Sequence, residues 1–205
     1  MNRINRESLF HIFNDEVVAK SFIDTYFDLN KAKAMLTIDE CLDLSESYGV
    51  PSVALSATNK QKYKYKVYIH IIEKEHLSSD YHGLWGSIML ESMNRAKKYN
   101  PMEPVVHLVI ANHEWIDQRI FDTSFKIENP NTSRYLPANL VEVQVIELPK
   151  MREKFDIMRP STIVKTPMYR WYVFLDNETE KPLLREVVNK DDAIFKANDL
   201  CKGFL

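Results

Sequence analysis

Histidines, carboxylates and lysines are the residues here whose spacing could do chemistry. His70, His76 and His82 recur every six residues, and His107 and His113 span the end of an apolar run. A metal site needs its donors on one face, and this spacing matches neither a helix of about 3.6 residues per turn nor a strand's alternation. Surface or core packing is therefore the expected use of these histidines. Carboxylate pairs occur at Asp15-Glu16, Glu73 with Glu75, and Asp191-Asp192. Such charged runs usually form solvated faces, so none identifies an acid/base pair by itself. The sequence has no glycine-rich phosphate loop, no G-x-S-x-G elbow and no H-E-x-x-H helix, and its 4 glycines leave little room for a tight phosphate cradle.

The tract "NKQKYKYKVYIHIIEKEH" (59–76) carries Lys60, Lys62, Lys64 and Lys66. In a strand, Lys62, Lys64, Lys66, Tyr68, His70 and Ile72 share one face, and Tyr63, Tyr65, Val67, Ile69 and Ile71 share the other. Lysines at a spacing of roughly 7 Å could track phosphates, with aromatic rings nearby for stacking. The preferred reading is structural, with tyrosines on the core side and lysines blunting an exposed hairpin against edge-to-edge pairing.

These residues need elements to hold them. The 205 residues, 45% hydrophobic and 27% charged, suffice for one core. Leu9, Phe13, Val18, Phe22, Ile23, Tyr26 and Phe27 recur at helical spacing. They predict a broken helix over 6–28, with Asn14 placed to cap its second part. "MLTIDECLDLSESYGVP" (35–51) predicts a short helix ending in a turn at Gly49-Val50-Pro51. "SVALSA" (52–57) and "YKYKVYIHII" (63–72) predict a hairpin. Over 82–99, Trp85, Ile88, Met89, Met93 and Ala96 form one stripe, which predicts an amphipathic helix stopped by Pro101. "VVHLVIAN" (105–112) reads as a central strand, and "VEVQVIELPK" (141–150) as a half-buried strand ended by Pro149. The remainder reads as mostly helical, around 168–176 and 190–204. The expected fold is α/β, a mixed sheet flanked by helices with a helical C-terminal region.

The net charge of -2 argues against a dominant basic surface, so a nucleic-acid contact would be a local patch. The N-terminus mixes charges into its apolar positions, unlike a signal peptide, and no run approaches the ~18 apolar residues of a membrane span. Cys41 and Cys201 lie far apart, which suits a reducing cytoplasm.

The order of segments is informative. "LFHIFND" with "AKSFIDTYFDL", then "IELPKM", "MYRWYVFLDN" and "DDAIFKANDL", resembles the PD-(D/E)XK nuclease family transposases, the recombination-promoting nuclease group. "IELPK" at 146–150 matches that family's pattern letter for letter, and the other segments match loosely. The resemblance implies a restriction-endonuclease-like core over 1–150, with 151–205 a helical extension packed on the same domain. It also implies a strand-borne Asp and, on the next strand, a Glu-x-Gln. In that family the carboxylates hold a Mg²⁺ that activates water for phosphodiester attack.

Aligned on the hairpin, Ser56 stands where the Asp is expected, His70 where the Glu is, and Ile72 where the Gln is. Ile72 cannot ligate or polarise anything, and serine and histidine suit a hard cation poorly. In the first helix Arg6 takes the place of the family's acid, with Glu7 beside it. The implied protein is a degenerate nuclease, non-enzymatic and without cofactor, that binds nucleic acid along Lys60 to Lys66 or a protein partner. One alternative is a Mg²⁺-dependent DNA endonuclease with migrated acids, Glu7, Glu73 or Glu75; a one-residue register slip would turn Glu73 to the cleft. Another is a structural or oligomeric interaction protein that uses Trp85 and Met93 if they are exposed, although core packing is the preferred use of both.

Overall fold

The computed structural model describes residues 4–27, 37–60, 62, 64–73, 86–88, 90, 105–117, 119–127 and 141–204. Two helices open the chain, α1 (Arg6–Phe13) and α2 (Glu16–Tyr26). Asn5 starts α1 by accepting from Ser8 N at 2.9 Å while Ser8 Oγ accepts from Asn5 N at 2.8 Å. This reciprocal box satisfies two of the donors that a helix start leaves open. The break falls at Asn14, which still has helical dihedrals and closes α1, so Asp15 caps α2 through Val17 N and Val18 N. The cap is therefore one residue later than the sequence predicts.

Six strands form one mixed sheet: β1 (Thr37–Asp43), β2 (Ser52–Thr58), β3 (Lys64–Ile72), β4 (Val105–Ala111), β5 (Asp122–Ile127) and β6 (Val141–Glu147). Their spatial order is β1-β2-β3-β4-β6-β5. The first three run antiparallel, β3, β4 and β6 run parallel, and β5 returns antiparallel along the far edge. The short helix α3 (Ser45–Tyr48) sits between β1 and β2 and ends at Gly49, whose φ of 74° is a left-handed conformation open to glycine. The helical reading of 35–51 thus holds only for these few residues. "TIDECLD" is an edge strand with acids on both faces and a register shift between Ile38 and Glu40, so its alternation is blurred. Most of the helix expected over 82–99 lies outside the described residues, Trp85 and Met93 included; within it, Ile88 is fully buried.

Five helices complete the chain: α4 (Leu148–Asp156), α5 (Pro160–Lys165), α6 (Pro167–Leu175), α7 (Lys181–Lys190) and α8 (Asp192–Cys201). Pro149 ends the sheet by entering the first turn of α4, where a missing N–H leaves no bond unmade. The main core lies between one sheet face and the helices, which draw the two chain ends together: α8 packs on α1 and α2, and α6 on α2. Trp171 of α6 is its centre, stacked 6.1 Å from Phe13 and edge-on 5.2 Å from Phe22. The other sheet face carries a second cluster, with Tyr48, Val50, Tyr68, Ile72, Ile88, Val109, Val143 and Val145. Strands β3 and β4 are therefore covered on both faces, which accounts for their continuous apolar runs.

Candidate functional site

The hairpin β2–β3 brings Ser52, not Ser56, opposite His70; Ser56 pairs with Lys66. Four residues of strand, about 13 Å, separate the two serines, so Ser56, His70 and Ile72 do not converge on one point. Ser52 Oγ lies 2.9 Å from His70 Nδ1, and His70 Nε2 lies 3.0 Å from His107 Nδ1 on β4. Ser52 Oγ also donates to the Val50 carbonyl at 2.9 Å, and Ser52 N donates to Ser45 Oγ at 3.0 Å. Because Ser52 Oγ gives its one proton to the Val50 carbonyl, it accepts from His70 Nδ1–H, and with neutral rings His70 Nε2 then accepts from His107 Nδ1–H. Ser52 is 1% exposed and both histidines are 0% exposed. Tyr68 stacks on His107 at 4.4 Å, and Tyr48 meets His70 edge-on at 4.7 Å. A ring stack thus fills the space that an open metal cleft would need.

The structure separates the four lysines. Lys60, Lys62 and Lys64 are exposed around the hairpin turn, where Lys62 has φ of 65°. Lys66 is half-buried with its ammonium 5.2 Å above the Tyr68 ring. Strand β3 is interior, between β2 and β4, so these lysines guard no sheet edge. The edge beside them is β1, and its Asp39 accepts from Thr58 Oγ1 at 2.5 Å. Tyr65 does turn to the main core, packed 5.1 Å from Phe27.

The fallback acids lie apart from the Ser52–His70 pair. Glu7 is exposed in the first turn of α1. Glu73 follows β3 and accepts from Asn112 Nδ2 at 2.8 Å, an amide that also reaches Glu178 at 3.4 Å. Glu75, His76 and His82 lie outside the described residues, and His113 is buried. Among the described residues, no three His, Cys, Asp or Glu side chains form a group that could hold a metal ion.

The "IELPK" segment is a clamp. Glu147, 0% exposed, accepts from the backbone N–H of Trp115 and of Ile116, and from Lys150 Nζ at 2.9 Å. Lys150 also donates to the Ile116 carbonyl. The pair thus pins the loop after β4 to the start of α4.

Sequence reasoning missed a polar group on the last two strands. Asp122 on β5 and Glu142 and Gln144 on β6 share the main-core face, opposite Val143 and Val145. Tyr26 donates to Gln144 Oε1 at 2.5 Å, and Gln144 Nε2 donates to Asp122 Oδ1 at 2.7 Å. Burial, and then the Glu142 charge, push the Asp122 carboxyl above its ordinary value. Burial likewise pushes the Tyr26 and Tyr172 phenols far up, so both stay protonated. The available signal was the alternation in "VEVQV", which sets Glu142 and Gln144 on one face, and Asp122 at the head of "DTSFKI". Asp122 lies opposite Ile146, four residues of strand from Glu142, so Gln144 between them is the side chain that meets Asp122.

No family model, curated protein or solved structure matches the chain. No helix among the described residues is long and apolar enough to cross a membrane.

Proposed function

We propose that this chain is a catalytically empty relative of the PD-(D/E)XK recombination-promoting nucleases that works by binding. The observation that carries the reading is His70, which stands where the resemblance expects a metal-binding Glu. It is fully buried and bonded to Ser52 and His107. A site that hydrolyses a phosphodiester must admit the phosphate and present carboxylate oxygens to Mg²⁺. Around His70 the neighbours are a serine, a second histidine and two tyrosine rings.

The binding surface in this reading is the hairpin turn, through exposed Lys60, Lys62 and Lys64. Three phosphate contacts would give a salt slope of about -3 on duplex DNA. The acids of β1 alongside limit the patch to these residues. Purified protein with supercoiled DNA and Mg²⁺ or Mn²⁺ should leave the DNA intact. DNA affinity should fall with salt, and replacing Lys62 and Lys64 by alanine should reduce the slope by about 2. Metal-dependent nicking that disappears in Glu73→Ala would refute the proposal.

A second reading, an endonuclease with relocated acids, draws support from Asp122 beside the Glu142-x-Gln144 pair. Against it, Tyr26 fixes the Gln144 amide so that its NH₂ faces Asp122, where a shared cation would need an oxygen. Nicking lost in Glu142→Gln would favour this second reading.

A further inference from the structure

The C-terminal helices enclose a groove of about 820 Å³, lined by α4, α5, α7 and the turns beside them. Buried Met151, Phe155 and Ile163 and half-buried Met158 and Leu183 give it an apolar lining. Glu153, Asp156, Glu178, Glu180 and Glu186 border the same groove, all exposed, and Arg152 is the one cation that lines it among the described residues. Arg152 is already held by Asp176 and Glu178. Glu153, Asp156, Glu180 and Glu186 make no ion pair among the described residues, which leaves their negative charges unpaired around an apolar surface.

We propose that this groove docks an amphipathic helix of a partner protein, with apolar side chains turned inward and lysines or arginines along its flanks. Apolar burial supplies the affinity, and the acids select the basic flanks. Methionines such as Met151 and Met158 adapt to side chains of different shape, which suits a groove that receives a helix. The lining residues belong to helices and turns, so an extended peptide finds no strand edge there to pair with. A helix arrives with its backbone bonds already made. DNA is the poorer fit, because its phosphates would meet the acids. The groove shares no residue with the hairpin turn at Lys60, Lys62 and Lys64, so the inference does not rest on DNA binding by that turn.

The probe is a fluorescent helical peptide of about 18 residues with one leucine face and one lysine face, titrated with the full chain and followed by anisotropy. Saturable one-to-one binding is expected, weakened at least about tenfold by Glu153→Lys combined with Glu186→Lys. Both positions are exposed, so the melting temperature of this variant should match that of the wild type. Glu16→Lys combined with Glu40→Lys makes the same change of charge at exposed positions elsewhere and should leave the affinity within about twofold. Replacing the peptide's leucines by serine, or its lysines by glutamate, should abolish binding; these two arms use the unaltered protein, so loss of folding cannot mimic them. Binding of the serine peptide as tight as that of the leucine peptide would reduce the effect to charge attraction and overturn the proposal. Equal binding of the glutamate peptide, or equal weakening by the two pairs of reversals, would do the same. Self-association in sedimentation velocity that is lost in Glu153→Lys with Glu186→Lys would assign the groove to a second copy of this chain and likewise overturn the proposal.

Discussion

Ser52 and His70 face each other across β2 and β3 with Ser52 Oγ 2.9 Å from His70 Nδ1, and both are sealed from water. The pair fastens the centre of the sheet to His107 on the next strand. Ser52→Ala would leave a buried imidazole nitrogen unmatched, and a loss of about 1–3 kcal/mol is expected. Ser56→Ala, at the half-buried position opposite Lys66, should stay within about 0.5 kcal/mol. Urea denaturation of the two variants checks this ranking, and equal effects would show that the relay is not structural.

Asp176 is a second buried commitment. It is 0% exposed and accepts from Arg152 Nη1 at 2.8 Å, Thr179 Oγ1 at 3.0 Å and Glu178 N at 3.0 Å. Burial pushes its carboxyl up, and Arg152 opposes that push. Arg152→Ala leaves the carboxylate without its cation and should cost about 3 kcal/mol or more. Adding Asp176→Asn should recover part of that loss, because the stranded charge is gone. A double-mutant cycle measured by denaturation tests the sign.

These interactions differ in how far the sequence announces them. Period-2 and period-3.6 patterns reveal β2, β3, β6, α1, α2 and the α6 region, and a continuous apolar run reveals β4, which is covered on both faces. Edge strands β1 and β5 escape this logic. β1 carries acids on both faces, and β5 has an exposed Phe125. The Ser52–His70–His107 relay needs the parallel register of β3 on β4, which spans 37 residues of sequence. Asp122 and Gln144 meet only because β5 folds back on β6. Residue types at single positions, such as His70 and Ile72, are legible without that register.

Trp171 tests the main core. It packs on Phe13, Phe22 and Phe174, and its indole N–H is buried with no hydrogen-bond partner among the described residues. Trp171→Ala should cost about 3–5 kcal/mol, since it empties the junction between the N-terminal and C-terminal helices. Trp171→Phe loses contact area but also removes the unmatched donor, so its cost should be less than half as large. Thermal and urea unfolding of both variants measure the difference.

Asp122 gives a prediction in pH. In the folded chain its carboxyl keeps its proton to higher pH than in the unfolded chain, through burial and then the Glu142 charge. Protonation therefore favours the fold, and this contribution is present below the unfolded value near 3.8 and is lost as pH rises through the folded value. The amide introduced by Asp122→Asn has no proton to lose, and its oxygen can still accept from Gln144. The stability of the variant minus that of the wild type should increase from pH 4 toward neutral and then level off. Urea midpoints across that range provide the measurement. A flat difference would mean that Asp122 titrates alike in both states, which would contradict a desolvated acid held beside Gln144.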